Sequence, residues 1–285
     1  MEGKQMKSFL LIGQSNMAGR GFPEEVKPIY NEKIQMLRNG RWQMMVEPIH
    51  FDRAVAGVGP AASFAAMWSS ANPGETVGLI PCAEGGSSLN DWAAGGILFR
   101  HAVAEARFAM ENSELAGILW HQGEGDAYQG LYQAYYKKLD AIFKALRTEL
   151  HAPEVPILIG GLGNYLGKRA FGANCTEYEQ VNEELKRYAM EQANCYFVTA
   201  DGLTANPDGI HINAVSQRKF GIRYWKAYSE RTHVLVPPEN EDALVECCAE
   251  KPYTQGERMY QVLEQFSRGK MSFEEFNAKA AEIYR

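Results

Sequence analysis

The stretch KSFLLIGQSNMAGRG, residues 7–21, decides the fold. Its apolar run, Phe9 to Ile12, stops at Gly13-Gln14-Ser15-Asn16, the pattern of a buried strand that delivers a small polar residue to the edge of a sheet. Four more short apolar runs end the same way, in loops rich in glycine or polar residues: Val77 to Pro81, Gly117 to His121, Ile157 to Gly161 and Tyr196 to Thr199. Patterns of helical period lie among and after them, at Ala61 to Ser70, Leu98 to Met110, Leu131 to Leu150, Glu177 to Gln192 and Ala214 to Glu230. Strands alternating with helices predict an α/β fold, with a five-stranded parallel sheet covered by helices on both faces. Asn39-Gly40, within IQMLRNGRWQMM (residues 34–45), favours a tight two-residue turn. It predicts a small hairpin inserted between the first strand and its helix, placed to wall the site.

At 285 residues and 46% hydrophobic, the chain can bury a full core as one large domain with an appendage. A net charge of -6 and scattered Lys and Arg leave no electrostatic footprint for nucleic acid. No apolar run approaches the roughly 18 residues of a membrane span, and the run before Gly13 is too short for a signal-peptide core, so a cytoplasmic location is expected. Five cysteines without a Cys-x-x-Cys pair predict reduced thiols and no zinc site. After His233 the chain turns acidic and proline-broken, in VLVPPENEDALVECC. It then reads as two short amphipathic helices split by Ser267-Arg268-Gly269-Lys270, with Ser272 as N-cap of the second. The predicted division is a catalytic domain, 1–233, and a C-terminal helical extension, 234–285, which packs on the main domain or serves as an oligomer contact.

In a doubly wound sheet the ligand sits at the carboxyl ends of the strands. Those ends carry Ser15, then Glu84-Gly85-Gly86-Ser87-Ser88, then His121-Gln122-Gly123-Glu124-Gly125-Asp126, and finally Asp208-Gly209-Ile210-His211. Serine, histidine and carboxylate are the parts of a nucleophilic triad, and glycine N–H groups with a neighbouring amide supply donors for a tetrahedral oxyanion. Taken singly, each has a plainer use: Ser15 and Asp208 as helix caps, Gly85-Gly86 as a turn. His121, Glu124 and Asp126 form a rival set for a metal-dependent deacetylase, although the pair His121-x-x-Glu124 lacks the helical context of a zinc protease motif. An α/β-hydrolase elbow, Gly-x-Ser-x-Gly, lies after several strands, whereas here Ser15 follows the first in Gly13-Gln14-Ser15-Asn16-Met17. That order excludes the α/β-hydrolase fold. Asp208 and His211 stand three residues apart, so one short loop must bring both to Ser15.

The four blocks GQSNMAG, PCAEGGSS, WHQGEGD and DGIH resemble those of the SGNH hydrolase superfamily. More narrowly, they resemble its sialate O-acetylesterase-like branch, which includes carbohydrate esterase family 6 acetylxylan esterases. The match covers about residues 7 to 230. The resemblance implies a flavodoxin-like three-layer sandwich and removal of acetyl groups from carbohydrate hydroxyls through an acetyl-serine, with neither metal nor organic cofactor. It makes Ser15 the nucleophile, His211 the general base and Asp208 its orienting acid, with the N–H groups of Ser15 and Gly86 as oxyanion donors. The wider superfamily has Gly-x-Asn-Asp in its third block, where this chain has Gly125 in the Asn position, so Gln122 is the natural substitute donor. Glu124 either orients His211, alone or with Asp208, or holds its loop by accepting backbone N–H bonds. Asp126 is expected to be structural, bonding the loop that carries Ser15. Trp42, Trp92, Tyr128 and Tyr165 are candidate platforms for a sugar ring, Trp92 foremost, and Arg20 would bind an acid group of the substrate or pair with a carboxylate. A noncatalytic sugar-binding module, and a lipase or thioesterase of the same superfamily, are the competing functions.

Overall fold

A computed structural model describes residues 5–285. The strand that begins at the opening motif, β1 (Met6–Gly13), lies at the centre of a sheet between β4 (Val77–Pro81) and β5 (Ser113–His121). Phe9, Leu10, Leu11 and Ile12 are completely buried because helices cover both faces. Each such side chain contributes about 1.5–3 kcal/mol of burial. Beyond β5 come β6 (Ile157–Gly160) and β7 (Cys195–Val198), all parallel.

Among the described residues the sheet has seven strands, two more than expected. The hairpin around Asn39-Gly40 exists, as β2 (Ile34–Arg38) and β3 (Arg41–Met44), but it joins the main sheet. Ile34, Gln35 and Met36 pair in parallel with Val77, Gly78 and Leu79, giving the order β3-β2-β4-β1-β5-β6-β7. The physical reason is burial: Ile34 and Met36 need the cover that the neighbouring strand supplies. Trp42 of β3 lies against Gly78, where an added Cβ would sit 2.7 Å from the indole. The hairpin therefore extends the sheet's edge, and the residues that follow it, 46–57, reach the site.

The helices are α1 (Ser15–Ala18), α2 (Ala61–Ala71), α3 (Ile97–Met110), α4 (Tyr135–Glu149), α5 (Tyr178–Glu191) and α6 (Ala214–Glu230). Helices α3, α4 and α5 cover one face of the sheet around Trp92, Trp120 and Phe143, while α2 and α6 cover the other around Phe64, Phe220 and Tyr224. The result is a three-layer sandwich. Helices α2 and α6 approach closely at Gly221, where an added Cβ would meet the Pro60 carbonyl at 2.0 Å.

After His233 the chain forms three helices where two were expected: α7 (Glu241–Cys248), α8 (Gln255–Ser267) and α9 (Phe273–Ile283). Glu241 opens α7 and takes a two-pronged hydrogen bond, both prongs 2.8 Å, from the buried Arg223 of α6. That ion pair ties α7 to α6. Thr254 and Ser272 cap α8 and α9 in reciprocal capping boxes with Glu257 and Glu275. Glu257 also accepts the Glu32 N–H at 2.8 Å, which fastens α8 to the strand preceding the hairpin's turn. Among the described residues no helix is long and apolar enough to cross a membrane, and the five cysteines are free thiols.

Candidate active site

The site starts where the ends of β1 and β5 lie side by side, Gly13 opposite His121. Gly13 has φ +131°, and an added Cβ would lie 2.0 Å from the His121 carbonyl. Only glycine permits this approach. It lets Gln14 N–H donate to the His121 carbonyl at 2.8 Å, after which Ser15 begins the single turn of α1. The Gln14 side-chain oxygen accepts the N–H groups of Gly123 and Gly125 at 3.2 and 3.3 Å, tying the Ser15 loop to the loop after β5.

Ser15 Oγ is 3.1 Å from His211 Nε2, and His211 Nδ1 is 2.8 Å from Asp208 Oδ2. The other carboxylate oxygen of Asp208 accepts the N–H groups of Ile210 and His211, both at 3.0 Å. Burial pushes the Asp208 carboxyl upward, but the hydrogen bonds from His211 and Ile210 outweigh it and hold the group below the usual carboxylate range. The loop is tight: Asn206 N–H donates to the His211 carbonyl at 2.7 Å, and Gly209 turns at φ +74°.

Asn16 couples the two halves. Its side-chain oxygen accepts the Ile212 N–H at 2.9 Å, and its Nδ2 donates to the Ile210 carbonyl at 3.1 Å, so one side chain grips the backbone on both sides of His211. The same Nδ2 donates to Glu124 Oε1, which also lies 3.2 Å from His121 Nε2. Glu124 is buried at the far end of this chain from His211. Burial pushes its carboxyl upward, yet the charge of His121 and the hydrogen bonds from His121 and Asn16 hold it below its ordinary value. Glu124 does not touch His211 and reaches its loop through Asn16.

Two further expectations change. Gln122 is wholly buried, and its Nε2 donates to the Ser87 carbonyl at 3.2 Å and to Asp126 Oδ2 at 2.7 Å. Both amide hydrogens are therefore engaged, and its oxygen accepts Tyr135 OH at 3.0 Å. Gln122 is not positioned as an oxyanion donor. Asp126 accepts Leu89 N–H at 2.9 Å as well as Gln122, so it braces the loop after β4 rather than the one carrying Ser15. His121, Glu124 and Asp126 do not converge, and among the described residues no group of three His, Cys, Asp or Glu forms a candidate metal set.

The loop after β4 turns at Glu84-Gly85-Gly86-Ser87, with Gly86 at φ +80° and an added Cβ free of contacts. Among the described residues, no acceptor takes the N–H of Gly86 or that of Ser15. Gly85 N–H donates to Asp52 Oδ2 at 2.8 Å. Asp52 in turn pairs with Arg20, whose side chain is 5% exposed, so Arg20 serves a protein carboxylate and not a substrate acid. His50, beside this pair, is buried, and burial holds its pKa down at about 4 against the pull of Asp52. Trp92 is a core residue: fully buried, edge-on to Trp120, its Nε1 donating to Ser87 Oγ at 3.0 Å. Tyr165 has its hydroxyl buried, and Tyr128 is exposed. Gln14, Asn16, Asp52 and Arg53 were not singled out from the sequence. For Asn16 the signal was its place directly after Ser15; for Asp52 and Arg53, in an aperiodic loop, there was none.

A three-layer sandwich with Ser15 at the end of the first strand and Asp208 and His211 on a late loop is the design of an SGNH-like hydrolase. The comparisons narrow it. Residues 5–230 match the family model described as carbohydrate esterase, sialic acid-specific acetylesterase, and the chain belongs to that family. A probable carbohydrate esterase of Arabidopsis thaliana is 29% identical over 247 residues, covering 77% of this chain and 89% of the plant protein. A crystal structure of an Arabidopsis thaliana protein superposes with a TM-score of 0.69 at 28% identity, covering 79% of this chain and 98% of that one. A carbohydrate acetylesterase from Xanthomonas citri shares the fold, with a TM-score of 0.53 at 18% identity, covering 78% of this chain and 55% of its own.

Proposed function

We propose that this chain is a serine esterase that removes O-acetyl groups from carbohydrates through an acetyl-serine intermediate. The observation that carries this reading is the unbroken line Asp208–His211–Ser15, at 2.8 and 3.1 Å, beside the unclaimed N–H of Ser15. His211 Nε2 takes the Ser15 proton as Oγ attacks the acetyl carbonyl, and the Ser15 and Gly86 N–H groups receive the oxyanion. Collapse expels the sugar alkoxide, which takes the proton back from His211. Water then attacks the acetyl-enzyme by the same route, releasing acetate and restoring Ser15. Asp208 holds the imidazole tautomer and its charged form.

The family's description supports acetylated carbohydrates, acetylated sialic acids among them, as the substrate class. Residues 1–233 are the catalytic domain in this reading and 234–285 an extension packed upon it, in a protein of the cytoplasm. The test is hydrolysis of 4-nitrophenyl acetate by wild type and Ser15→Ala, with and without EDTA, beside the butyrate and octanoate esters. Chelator-resistant activity that depends on Ser15 and falls steeply with acyl length is expected. Activity that survives in Ser15→Ala, or that EDTA removes, overturns the reading.

A further inference from the structure

We propose that Arg53 is a positioning residue that sets the working orientation of the Gly85–Gly86 peptide, and so decides whether the Gly86 N–H faces the reacting carbonyl. The proposal rests on the serine-esterase reading above. Glu84 to Ser87 form a four-residue turn closed by Ser87 N–H donating to the Glu84 carbonyl at 3.3 Å. Gly85 and Gly86 are its central residues, and the φ of +80° at Gly86 is the value of a type II turn. A type I turn differs mainly by a half-rotation of the central peptide, which here is Gly85–Gly86. Two adjacent glycines accept either form with little steric preference. The turn's own sequence therefore does not choose the orientation.

The surroundings do. Arg53 Nη2 donates to the Gly85 carbonyl at 3.1 Å. A trans peptide points its C=O and N–H in opposite directions, so pinning the carbonyl to Arg53 turns the Gly86 N–H the other way. Among the described residues that N–H has no acceptor, as a donor kept for a substrate oxygen requires. Rotation of the peptide would break the Arg53 bond and present a carbonyl where the oxyanion needs a donor. The guanidinium is itself held: Nη1 donates to the Asp52 carbonyl at 2.8 Å and pairs with the Glu84 carboxylate. One step back, the Asp52 carboxylate fixes the Gly85 N–H at 2.8 Å. The peptide before the turn is thus anchored by Asp52, and the peptide inside it by Arg53.

The side chain of Arg53 is 53% exposed, so its replacement spares the core. For Arg53→Met we expect kcat for 4-nitrophenyl acetate to fall about tenfold or more, toward the hundredfold cost of a lost oxyanion donor, with KM within twofold. Affinity for a methylboronic acid, whose adduct with Ser15 mimics the tetrahedral intermediate, should fall by the same factor. The melting temperature should be unchanged, and Arg53→Lys should recover most of both losses. Arg53→Met with wild-type kcat and wild-type boronate affinity overturns the proposal and leaves the esterase reading intact. A loss of kcat that follows a fall in melting temperature, with boronate affinity unchanged, also overturns it. Wild-type enzyme that neither turns over the ester nor binds boronate through Ser15 removes the esterase reading itself.

Discussion

Two carboxylates stand near His211, the half-buried Asp208 and the buried Glu124, and exchanging each for its amide separates their roles. Asp208 Oδ2 lies 2.8 Å from His211 Nδ1, so in Asp208→Asn the amide favours the wrong imidazole tautomer. Substitutions of this kind in serine triads lower kcat by about 10⁴-fold. Glu124 reaches the histidine only through Asn16, to which it offers a single acceptor, Oε1. A glutamine keeps that acceptor. It loses the charge that strengthens the bonds from Asn16 and His121, and trades the buried, partnerless Oε2 for an equally partnerless amide nitrogen, at a cost of about 1–3 kcal/mol of stability. Glu124→Gln should therefore lower the unfolding midpoint in urea while kcat stays within about tenfold of wild type. The assay is 4-nitrophenyl acetate turnover beside urea titration, both variants in parallel. If Glu124→Gln loses as much kcat as Asp208→Asn at an unshifted midpoint, the grip through Asn16 is wrong and Glu124 acts on His211 directly.

Asn16→Ala removes the bonds to Glu124, the Ile210 carbonyl and the Ile212 N–H together, and should cost about 3–5 kcal/mol by chemical unfolding; a cost under about 1 kcal/mol would show that the loop stands without it. Gln122→Ala should destabilise by about 2–4 kcal/mol and lower kcat less than the hundredfold of a lost oxyanion donor; a hundredfold loss at an unchanged melting temperature would restore Gln122 as a donor. His50 has a folded pKa of about 4 against an ordinary 6.5, so the unfolded chain binds the proton first. Its contribution to stability is thus whole above the ordinary value and lost as pH falls through that window, about 3 kcal/mol in all. Unfolding of His50→Gln across the same pH range should show a shallower slope than wild type, and equal slopes would remove His50 as the cause.

The strand ends were legible because a continuous apolar run such as Phe9 to Ile12 has one comfortable environment, the middle of a parallel sheet. Val77 to Pro81 begins and ends where expected for the same reason. The hairpin was legible as a hairpin but not as sheet, since the Asn39-Gly40 turn is a local signal and pairing with β4 depends on a strand forty residues away. At the site, residue types pointed to Ser15, Asp208 and His211, which stand in one hydrogen-bonded line although Asp208 lies ten residues beyond the end of β7. What each polar side chain bonds was not legible. Gln122 and Asp126 lie in one short motif yet turn to Ser87 and Leu89, and Arg53 acts on Gly85 from a loop without periodicity. Such partnerships are settled by packing in space, which leaves no period in the chain.

Ser15 and His211 are 196 positions apart, and Asn16 bridges almost the same interval to Ile210 and Ile212. On the serine-esterase proposal, the chemistry thus joins the end of β1 to a loop that a ribosome delivers after most of the protein. On that proposal, growing chains and fragments that stop short of this loop have the serine but nothing to deprotonate it. In refolding, recovery of turnover should accordingly trail the return of helical signal, since closing so long an interval is slow. A single colour change in a cuvette then reports that the end of β1 and the loop after β7 have met.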